Sequence, residues 1–562
     1  MRSGGRGQKM SGPVARPIDD SAVRREGGLP VISEAAIAEN VRAAMSVPGF
    51  YPGSPEGVVV RETHISWVFL AGERAYKLKK PLVLGFLDYR TRARRREMCH
   101  EEVRLNRRLA DDLYLGVRAV AERDGVLELT DEDAPHAIDY VVEMRRYDER
   151  LTMAAKLSRG ELKQGEVVDV ARLLARFHAQ APRVGSVGVP APALERRLTE
   201  NFHELLAIVE QHAEVERVLA LERFAHAFVV ACADMFNTRA RHGLIREVHG
   251  DLRAEHVLLD GTPQIVDCIE FNPELRSLDV ADDLAFLVMD LTARGGERFA
   301  RTLLRAYRDA GGHAGEGRLV AFYADYRALV RAKVELLRAV QQPTGSAAHG
   351  HHSATARDLL GLAERFSWRA RLPLAIVICG LPATGKSHLA RALALRSRLA
   401  HLNSDVVRKR LAGVLPTRRA PSDAYTVEAN RLTYAELGRL AAREVTAHGG
   451  ALVDATFRHR ADRDAFAQAF AGVAPLLFVE CQAPAETLAR RAAARAREPE
   501  RISDASLQVV VRESVMWEPL LEVPPEAHVV LRSDRPVEAQ ITDLMALLDQ
   551  RVAPCAANDE EK

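Results

Sequence analysis

The eight residues Gly380-Leu381-Pro382-Ala383-Thr384-Gly385-Lys386-Ser387 constrain this chain more than any other stretch. They follow the apolar run Leu374–Cys379 and precede a helix-like segment from His388 to Leu395. A G-x-x-x-x-G-K-S sequence between a buried strand and a helix is the setting of a phosphate-binding P-loop, the Walker A motif. Gly380 and Gly385 let the backbone curl until its N–H groups converge on phosphate oxygens. The helix start adds positive dipole potential at the same point. Lys386 is placed to reach the β- and γ-phosphates, and the Ser387 hydroxyl to ligate Mg²⁺. The stretch therefore predicts a site for a nucleoside triphosphate.

Such a loop needs an α/β domain around it. Strand-like runs at 374–379, 400–403, 451–454, 476–480 and 528–531 alternate with helical segments, which predicts a parallel sheet wrapped by helices over 371–552. At 562 residues the chain is too long for one core. Residues 1–28, rich in Gly, Arg, Ser and Pro without periodicity, are expected to form a disordered leader. A small β-rich lobe is expected over 29–150, with helices at 34–46 and 90–109 and strands near 58–60, 65–70, 74–79, 117–121, 126–129 and 137–144. From about residue 161 the apolar period changes from two to 3.6. A helical lobe over 151–340 follows, with helices at 167–179, 194–211, 215–239, 298–309 and 318–340 around an irregular, strand-containing stretch from 248 to 290. Gln341–Thr355, with Pro, Gly, Ser and the trio His349, His351 and His352, reads as an interdomain linker that extends to residue 370. The trio is either a solvated polar cluster or a metal site. Residues 553–562 read as a tail.

Composition narrows the partners. A net charge of +2 supplies no basic field for nucleic acid or a membrane surface. The longest apolar runs stop after about six residues, far short of a membrane span. Six scattered cysteines without a C-x-x-C fit a reducing compartment, where they act as small buried apolar residues. The N-terminus lacks an apolar h-region, so a cytoplasmic location is expected. The expected partner is a small-molecule phosphoryl acceptor; the oligomeric state is left open.

A second constellation lies upstream: His249-Gly-Asp-Leu-Arg-Ala-Glu-His-Val-Leu-Leu259, then Ile265-Val-Asp267-Cys-Ile-Glu270-Phe. A loop Asp, a polar ligand five residues on, a hairpin and another Asp suit phosphoryl transfer. The first carboxylate orients or deprotonates a hydroxyl, and the later residues hold Mg²⁺ against the triphosphate. This stretch resembles the catalytic and metal-binding loops of aminoglycoside phosphotransferases and related kinase-like small-molecule kinases. The resemblance implies an α+β bilobal kinase-like fold, Asp251 as catalytic base, Asp267 as principal Mg²⁺ ligand with His256 beside it, and Asp283 as a loop anchor. The family pattern has Asn where this chain has His256, and an imidazole is a softer partner for Mg²⁺ than an amide oxygen. Arg253 stands where a His often follows Asp-Leu and adds positive charge near the expected phosphate.

Ala75-Tyr-Lys-Leu-Lys-Lys-Pro81 resembles the strand whose lysine holds the α- and β-phosphates. Lys77 and Lys79 share one strand face and Lys80 takes the other, with Lys77 favoured and Lys79 next. Glu102 is the matching helix glutamate. Val141–Arg146 resembles the hinge that holds adenine, with Met144 near the base. A G-x-G-x-x-G loop is absent, and Thr63–Ser66 stands in its place. Arg90–Arg108 contains eight arginines with Glu97, Glu101 and Glu102. This segment reads as a solvated face with intrahelical ion pairs, the alternative being a nucleic-acid surface without its aromatics.

In the P-loop domain, Asp405 at the tip of the second strand faces the mouth of the sheet. The D-x-x-R pattern to Arg408 resembles P-loop kinases of small hydroxyl substrates and of polynucleotide 5′ ends. It implies Asp405 as general base and Arg408 as a substrate or phosphate clamp; the same Ser-Asp can cap a helix. Asp454, ending the strand Ala451–Asp454, resembles the Walker B position and a Mg²⁺ contact. Arg460 and Arg463 follow as substrate-binding candidates. A helix starting from Cys481 carries Arg491 and Arg495 on one face, either as the arginine lid of such kinases or as a solvated face. Residues 498–506 read as a mobile loop after it.

Nearly end to end, the chain resembles an aminoglycoside-phosphotransferase-like domain fused to a P-loop AAA-type ATPase or small-molecule-kinase domain. That resemblance implies an ATP- and Mg²⁺-dependent phosphotransferase with two nucleotide sites, acting on a hydroxyl of a small molecule. Two alternatives stay open. The first domain is a non-catalytic regulatory pseudokinase, a reading motivated by His256; or the second is a polynucleotide 5′-hydroxyl kinase.

Overall fold

Period-two alternation between residues 58 and 145 builds a six-stranded antiparallel sheet. Its strands are β1 (Val58–Glu62), β2 (Ser66–Ala71), β3 (Arg74–Lys79), β4 (Tyr114–Arg123), β5 (Val126–Asp131) and β6 (Ala137–Arg145), in the order β1-β2-β3-β6-β4-β5. Helix α1 (Glu34–Met45) covers one face and α2 (Arg92–Ala110) the other. Along β3, Tyr76 and Leu78 pack with Val41 and Met45 of α1, whereas Ala75 packs with Cys99 and Val103 of α2. Strand alternation therefore delivers Lys77 and Lys79 to the α2 face. In the computed structural model the described residues are 33–84, 87–184, 190–210, 212–415, 417–495 and 515–555. The expected leader at 1–28 and mobile loop at 498–506 lie outside them.

The chain divides into two compact units, residues 1–187 with 239–314, and residues 188–238 with 315–562. In the first, the hairpin β7 (Val257–Leu258) and β8 (Gln264–Ile265) begins at the end of the His249–Leu259 stretch. Helix α3 (Val280–Ala293) begins inside the segment expected to be irregular to residue 290. Every residue from Val280 to Thr292 is buried, so no amphipathic period marks this helix. The arginine-rich face also differs from expectation. Arg95 is fully buried on α2, with Nε 2.9 Å from Asp139 Oδ1, so part of that face is interior.

The second unit includes α4 (Gly317–Val340) and α5 (Ala347–Ala370), which pack along one another. The linker expected over 341–370 is therefore mostly helix. Ser346 caps it by accepting from His349 N, and Leu359, Leu360, Ala363, Phe366 and Trp368 bury its apolar side. The turn is confined to 341–346. The helix predicted over 215–239 is interrupted at Cys232, giving His212–Ala231 and Ala233–Arg241. Cys232 is disulfide-bonded to Cys555, contrary to the expectation of six isolated cysteines; Cys99, Cys268, Cys379 and Cys481 are free and buried.

The P-loop sheet has five parallel strands: β9 (Leu374–Cys379), β10 (Ala400–Asn403), β11 (Gly450–Asp454), β12 (Leu476–Gln482) and β13 (His528–Arg532), in the order β10-β11-β9-β12-β13. Around it lie α6 (Lys386–Ser397), α7 (Ser404–Leu411), α8 (Val427–His448), α9 (Arg460–Phe470), α10 (Ala485–Arg495) and α11 (Val537–Asp549). Ile376 and Ile378 pack with Leu389, Leu393 and Leu544 on one face; Ala375 and Val377 pack with Leu437, Ala441 and Phe466 on the other. Among the described residues, no helix is long and apolar enough to cross a membrane.

Candidate active sites

The first site gathers on the α2 face of β3. Lys77 Nζ lies 2.8 Å from Glu102 Oε1 and 2.8 Å from Asp267 Oδ1. Lys79 Nζ lies 2.6 Å from Glu102 Oε2 and 2.5 Å from Glu270 Oε1, and the Tyr89 hydroxyl donates to that same Glu270 oxygen. Two lysines thus interleave with three carboxylates from α2 and the segment after β8. Burial penalises both ammonium groups, yet Asp267 and Glu102 raise Lys77, and Glu102 and Glu270 raise Lys79, well above the ordinary value. Lys77 in turn holds the Asp267 carboxyl well below the usual carboxylate range.

The loop that presents Asp251 is fixed from behind. Asp283 accepts from His249 N at 3.2 Å and Gly250 N at 2.8 Å, and His178 Nε2 lies 3.1 Å away. Gly250 has φ +85°, and a Cβ there would stand 2.7 Å from the Leu275 carbonyl oxygen, so this turn requires glycine. Asp290 accepts from Ala254 N at 2.9 Å. His249 Nε2 donates to Val266 O at 2.9 Å, which joins this loop to the segment carrying Asp267.

Asp251 is met by Arg253, whose Nε and Nη2 lie 3.0 and 2.9 Å from its two carboxylate oxygens. His256 Nδ1 faces the Asp251 carbonyl oxygen at 2.8 Å, and its Nε2 lies 4.0 Å from Asp267 Oδ2. A divalent ion about 2.1 Å from each ligand atom spans that separation, so His256 and Asp267 fit as two ligands of one ion. Among the described residues no three His, Cys, Asp or Glu side chains form a metal-holding group, so the remaining ligands would be phosphate oxygens and water. Met144 is buried opposite Ala75 on β6, packed with Leu258 and Val266. Thr63–Ser66 is the tight turn between β1 and β2, where the Thr63 carbonyl oxygen accepts from Lys80 Nζ at 2.6 Å.

The second site sits at the carboxyl ends of the parallel strands, where such sheets bind ligands. Gly380 has φ +129°, and a Cβ would stand 2.5 Å from the Cys481 carbonyl oxygen. From there Leu381, Pro382, Ala383 and Thr384 form the loop, and Gly385 caps α6 in a left-handed conformation. Lys386 Nζ donates to Leu381 O at 2.8 Å, folded over its own loop. Asp454 and Asn403 are register partners on β11 and β10, and Asn403 Nδ2 donates to Asp454 Oδ2 at 2.7 Å. Burial alone would raise the Asp454 carboxyl; His401, Lys386, Ser387 and Asn403 hold it below the ordinary value. The Ser387 hydroxyl and Asp454 are hard oxygen donors that suit Mg²⁺.

Asp405 lies in the first turn of α7; the cap is Asn403, which accepts from Val406 N, and not the Ser-Asp pair. Arg408 is buried, with Nη1 donating to Ala424 O and to Asn430 Oδ1 at 2.9 and 2.5 Å and its guanidinium over the Tyr425 ring. Arg463 differs from the substrate-facing role expected of it. It is buried, ion-paired with Glu522, and donates to the carbonyls of Phe457, Glu518 and Pro519, which makes it an anchor of that segment. Helix α10 starts at Ala485 rather than at Cys481, which ends up on β12. It packs Leu488 and Ala492 against Ala383, and Arg491 donates to Thr384 O at 2.9 Å and Ser533 O at 2.7 Å. Arg491 therefore touches the phosphate loop; Arg495 ends α10 and its side chain is outside the described residues.

Three participants escaped the sequence reading. Glu270 carried only its spacing from Asp267, and Tyr89 and Asn403 carried no motif signal.

A profile described as "Phosphotransferase enzyme family" matches residues 71–319, and one described as "AAA domain" matches residues 376–516. The uncharacterized protein Rv2004c of Mycobacterium tuberculosis (strain ATCC 25618 / H37Rv) is 38% identical over 359 residues, which cover 63% of this chain and 68% of that protein. The uncharacterized protein Mb2027c of Mycobacterium bovis shows the same 38% identity over 359 residues, with 63% and 68% coverage. Among solved structures, a choline/ethanolamine kinase family protein from Mesorhizobium loti is similar over 58% of this chain and 99% of its own, at 16% identity and TM-score 0.34. A gluconokinase from Sinorhizobium meliloti 1021 is similar over 32% of this chain and 95% of its own, at 19% identity and TM-score 0.25. The chain belongs to the family of these mycobacterial proteins, and it carries a phosphotransferase-family domain of kinase-like fold ahead of an AAA-type P-loop domain.

Proposed function

We propose that the protein is an ATP- and Mg²⁺-dependent phosphotransferase with two nucleotide sites, each transferring a γ-phosphoryl group to a hydroxyl of a small molecule. The observation that carries this reading is Lys77, held at 2.8 Å by both Glu102 and Asp267. A strand lysine paired with a helix glutamate, with an aspartate of the candidate metal loop beside them, supports a phosphoryl-transfer site.

In the first site Lys77 would hold the donor phosphates while Glu102 keeps its ammonium oriented. Asp251 would take the acceptor's hydroxyl proton as the acceptor oxygen bonds to phosphorus. His256 and Asp267 would hold the metal, which when bound offsets the charge of the phosphate oxygens. In the second site the loop 380–387 would cradle the phosphates, Asp405 would serve as base, and Ser387 and Asp454 would hold the metal. Arg491, which donates to Thr384 O, would supply positive charge at that loop, where electrostatic stabilisation carries most of the catalysis. Arg408, turned toward Ala424, Asn430 and Tyr425, would act as the substrate clamp only by leaving them. The expected setting is the cytoplasm and the expected partner a small hydroxylated molecule.

One observation favours the regulatory reading of the first unit: Arg253 lies on both Asp251 and His256. Equilibrium binding of ATP with Mg²⁺ tests the two-site proposal. The wild-type chain should bind two nucleotides, and Lys77→Ala and Lys386→Ala should each bind one. A single nucleotide on the wild type would overturn it.

A further inference from the structure

Three of the contacts made by the Arg253 guanidinium engage groups that the proposed chemistry needs. Its Nε and Nη2 straddle the Asp251 carboxylate at 3.0 and 2.9 Å, and Nη2 also lies 3.0 Å from His256 Nε2. Its Nη1 is paired with Glu255. The histidine tautomer follows from these partners. A carbonyl oxygen can only accept, so His256 Nδ1, 2.8 Å from Asp251 O, carries the proton. Its Nε2 lone pair, on the nitrogen 4.0 Å from Asp267 Oδ2, is therefore taken by Arg253. A guanidinium does not lose its charge at any ordinary pH, and this one is largely buried, with 13% of its side chain exposed.

We infer that Arg253 is a built-in counter-ion of the first site: it holds the Asp251 carboxylate and occupies the His256 Nε2 position that a divalent metal would take, and it must leave before that metal and a phosphoryl donor bind. The inference rests on the roles proposed for Asp251, His256 and Asp267. The donor's own phosphate supplies the exchange partner, because a guanidinium pairs with phosphate in the same two-point geometry it uses with a carboxylate. Glu255 keeps one edge of the guanidinium tethered during that exchange. Once Arg253 has moved, the Asp251 carboxylate is open to the acceptor. The hydroxyl proton then passes to Asp251, the acceptor oxygen bonds to phosphorus, and the bond from phosphorus to the departing diphosphate breaks. Arg253 thereby makes metal binding and phosphate binding mutually dependent. Metal alone meets an occupied position, and metal with a triphosphate opens it.

The test is Mn²⁺ binding to the nucleotide-free full-length chain, read by titration calorimetry or electron paramagnetic resonance. Arg253→Gln should bind one Mn²⁺ roughly ten-fold or more tighter than wild type, the scale of one charge-assisted contact. The gain should vanish in Arg253→Gln/Asp267→Asn, which assigns it to this site. Arg253→Lys should fall between, because an ammonium group cannot straddle both oxygens and also reach the imidazole. Unchanged or weaker Mn²⁺ binding in Arg253→Gln would overturn the inference, as would a gain that survives Asp267→Asn. If Arg253→Gln fails to fold by circular dichroism, Arg253→Lys decides alone, and affinity equal to wild type overturns it. The readout does not use turnover. A failure here leaves the Asp251 proposal standing, and an inactive first site leaves this inference standing.

Discussion

Lys79 and Glu270, 191 residues apart in sequence, form a buried ion pair at 2.5 Å between β3 and the segment that carries Asp267. The same ammonium also meets Glu102, so Lys79 ties β3, α2 and the Asp267 segment together, while Lys77 meets Glu102 and Asp267. Lys79→Met should leave buried Glu270 without its cation, while Glu102 keeps Lys77, and cost about 3–5 kcal/mol. Adding Glu270→Gln should restore part of that loss, since contacting residues are not additive. Denaturant unfolding of the first transition checks both, and additive losses would remove the pair from this role.

Gly380→Ala should damage the second site selectively. The added Cβ meets a backbone oxygen at 2.5 Å, and φ of +129° disfavours any side chain. The expected result is loss of one bound nucleotide, with the other retained, in the same ATP-binding measurement.

Arg463→Ala should act on stability and not on substrate affinity. Its buried guanidinium joins Glu522 and three carbonyls of the 457–519 segments, so removal should cost about 3 kcal/mol or more. The KM of the folded fraction should match wild type; a raised KM with unchanged stability would return Arg463 to the substrate side.

His249 gives the first unit a pH dependence. Burial holds its imidazole below the ordinary value of about 6.5, against the pull of Asp283. The folded chain therefore resists a proton that the unfolded chain accepts. Stability should be full above about pH 6.5 and should fall as the pH drops from there toward the lowered folded value. Unfolding midpoints followed downward from about pH 7.5 should show this slope, and His249→Asn should flatten it.

Much of this arrangement was legible in the sequence because it is local. The P-loop, the strand alternation of 374–379 and the Lys77/Lys79 face each depend on residues within a few positions of one another. The misses are non-local or lack a period. Helix α3 is buried all round, so nothing distinguished its faces. Helix α5 begins with Ala, His and Ser beside Pro343 and Gly345, and its apolar side emerges only from Leu359 onward. Arg463 reads as a substrate-binding candidate and Arg95 as part of a solvated face because their partners, Glu522 and Asp139, lie tens of residues away. The hold of Arg253 on Asp251 spans only two residues, but its meaning depends on the imidazole of His256 folding onto the same guanidinium.

The most direct measurement follows transfer of labelled γ-phosphoryl from ATP to a pool of small hydroxylated metabolites by Lys386→Ala protein, whose second site is disabled. Labelled small-molecule product that disappears when Asp251→Asn is added is the predicted result. Complete loss of product in Lys386→Ala alone, on every acceptor that the wild type labels, would contradict the claim that the first unit is a phosphotransferase.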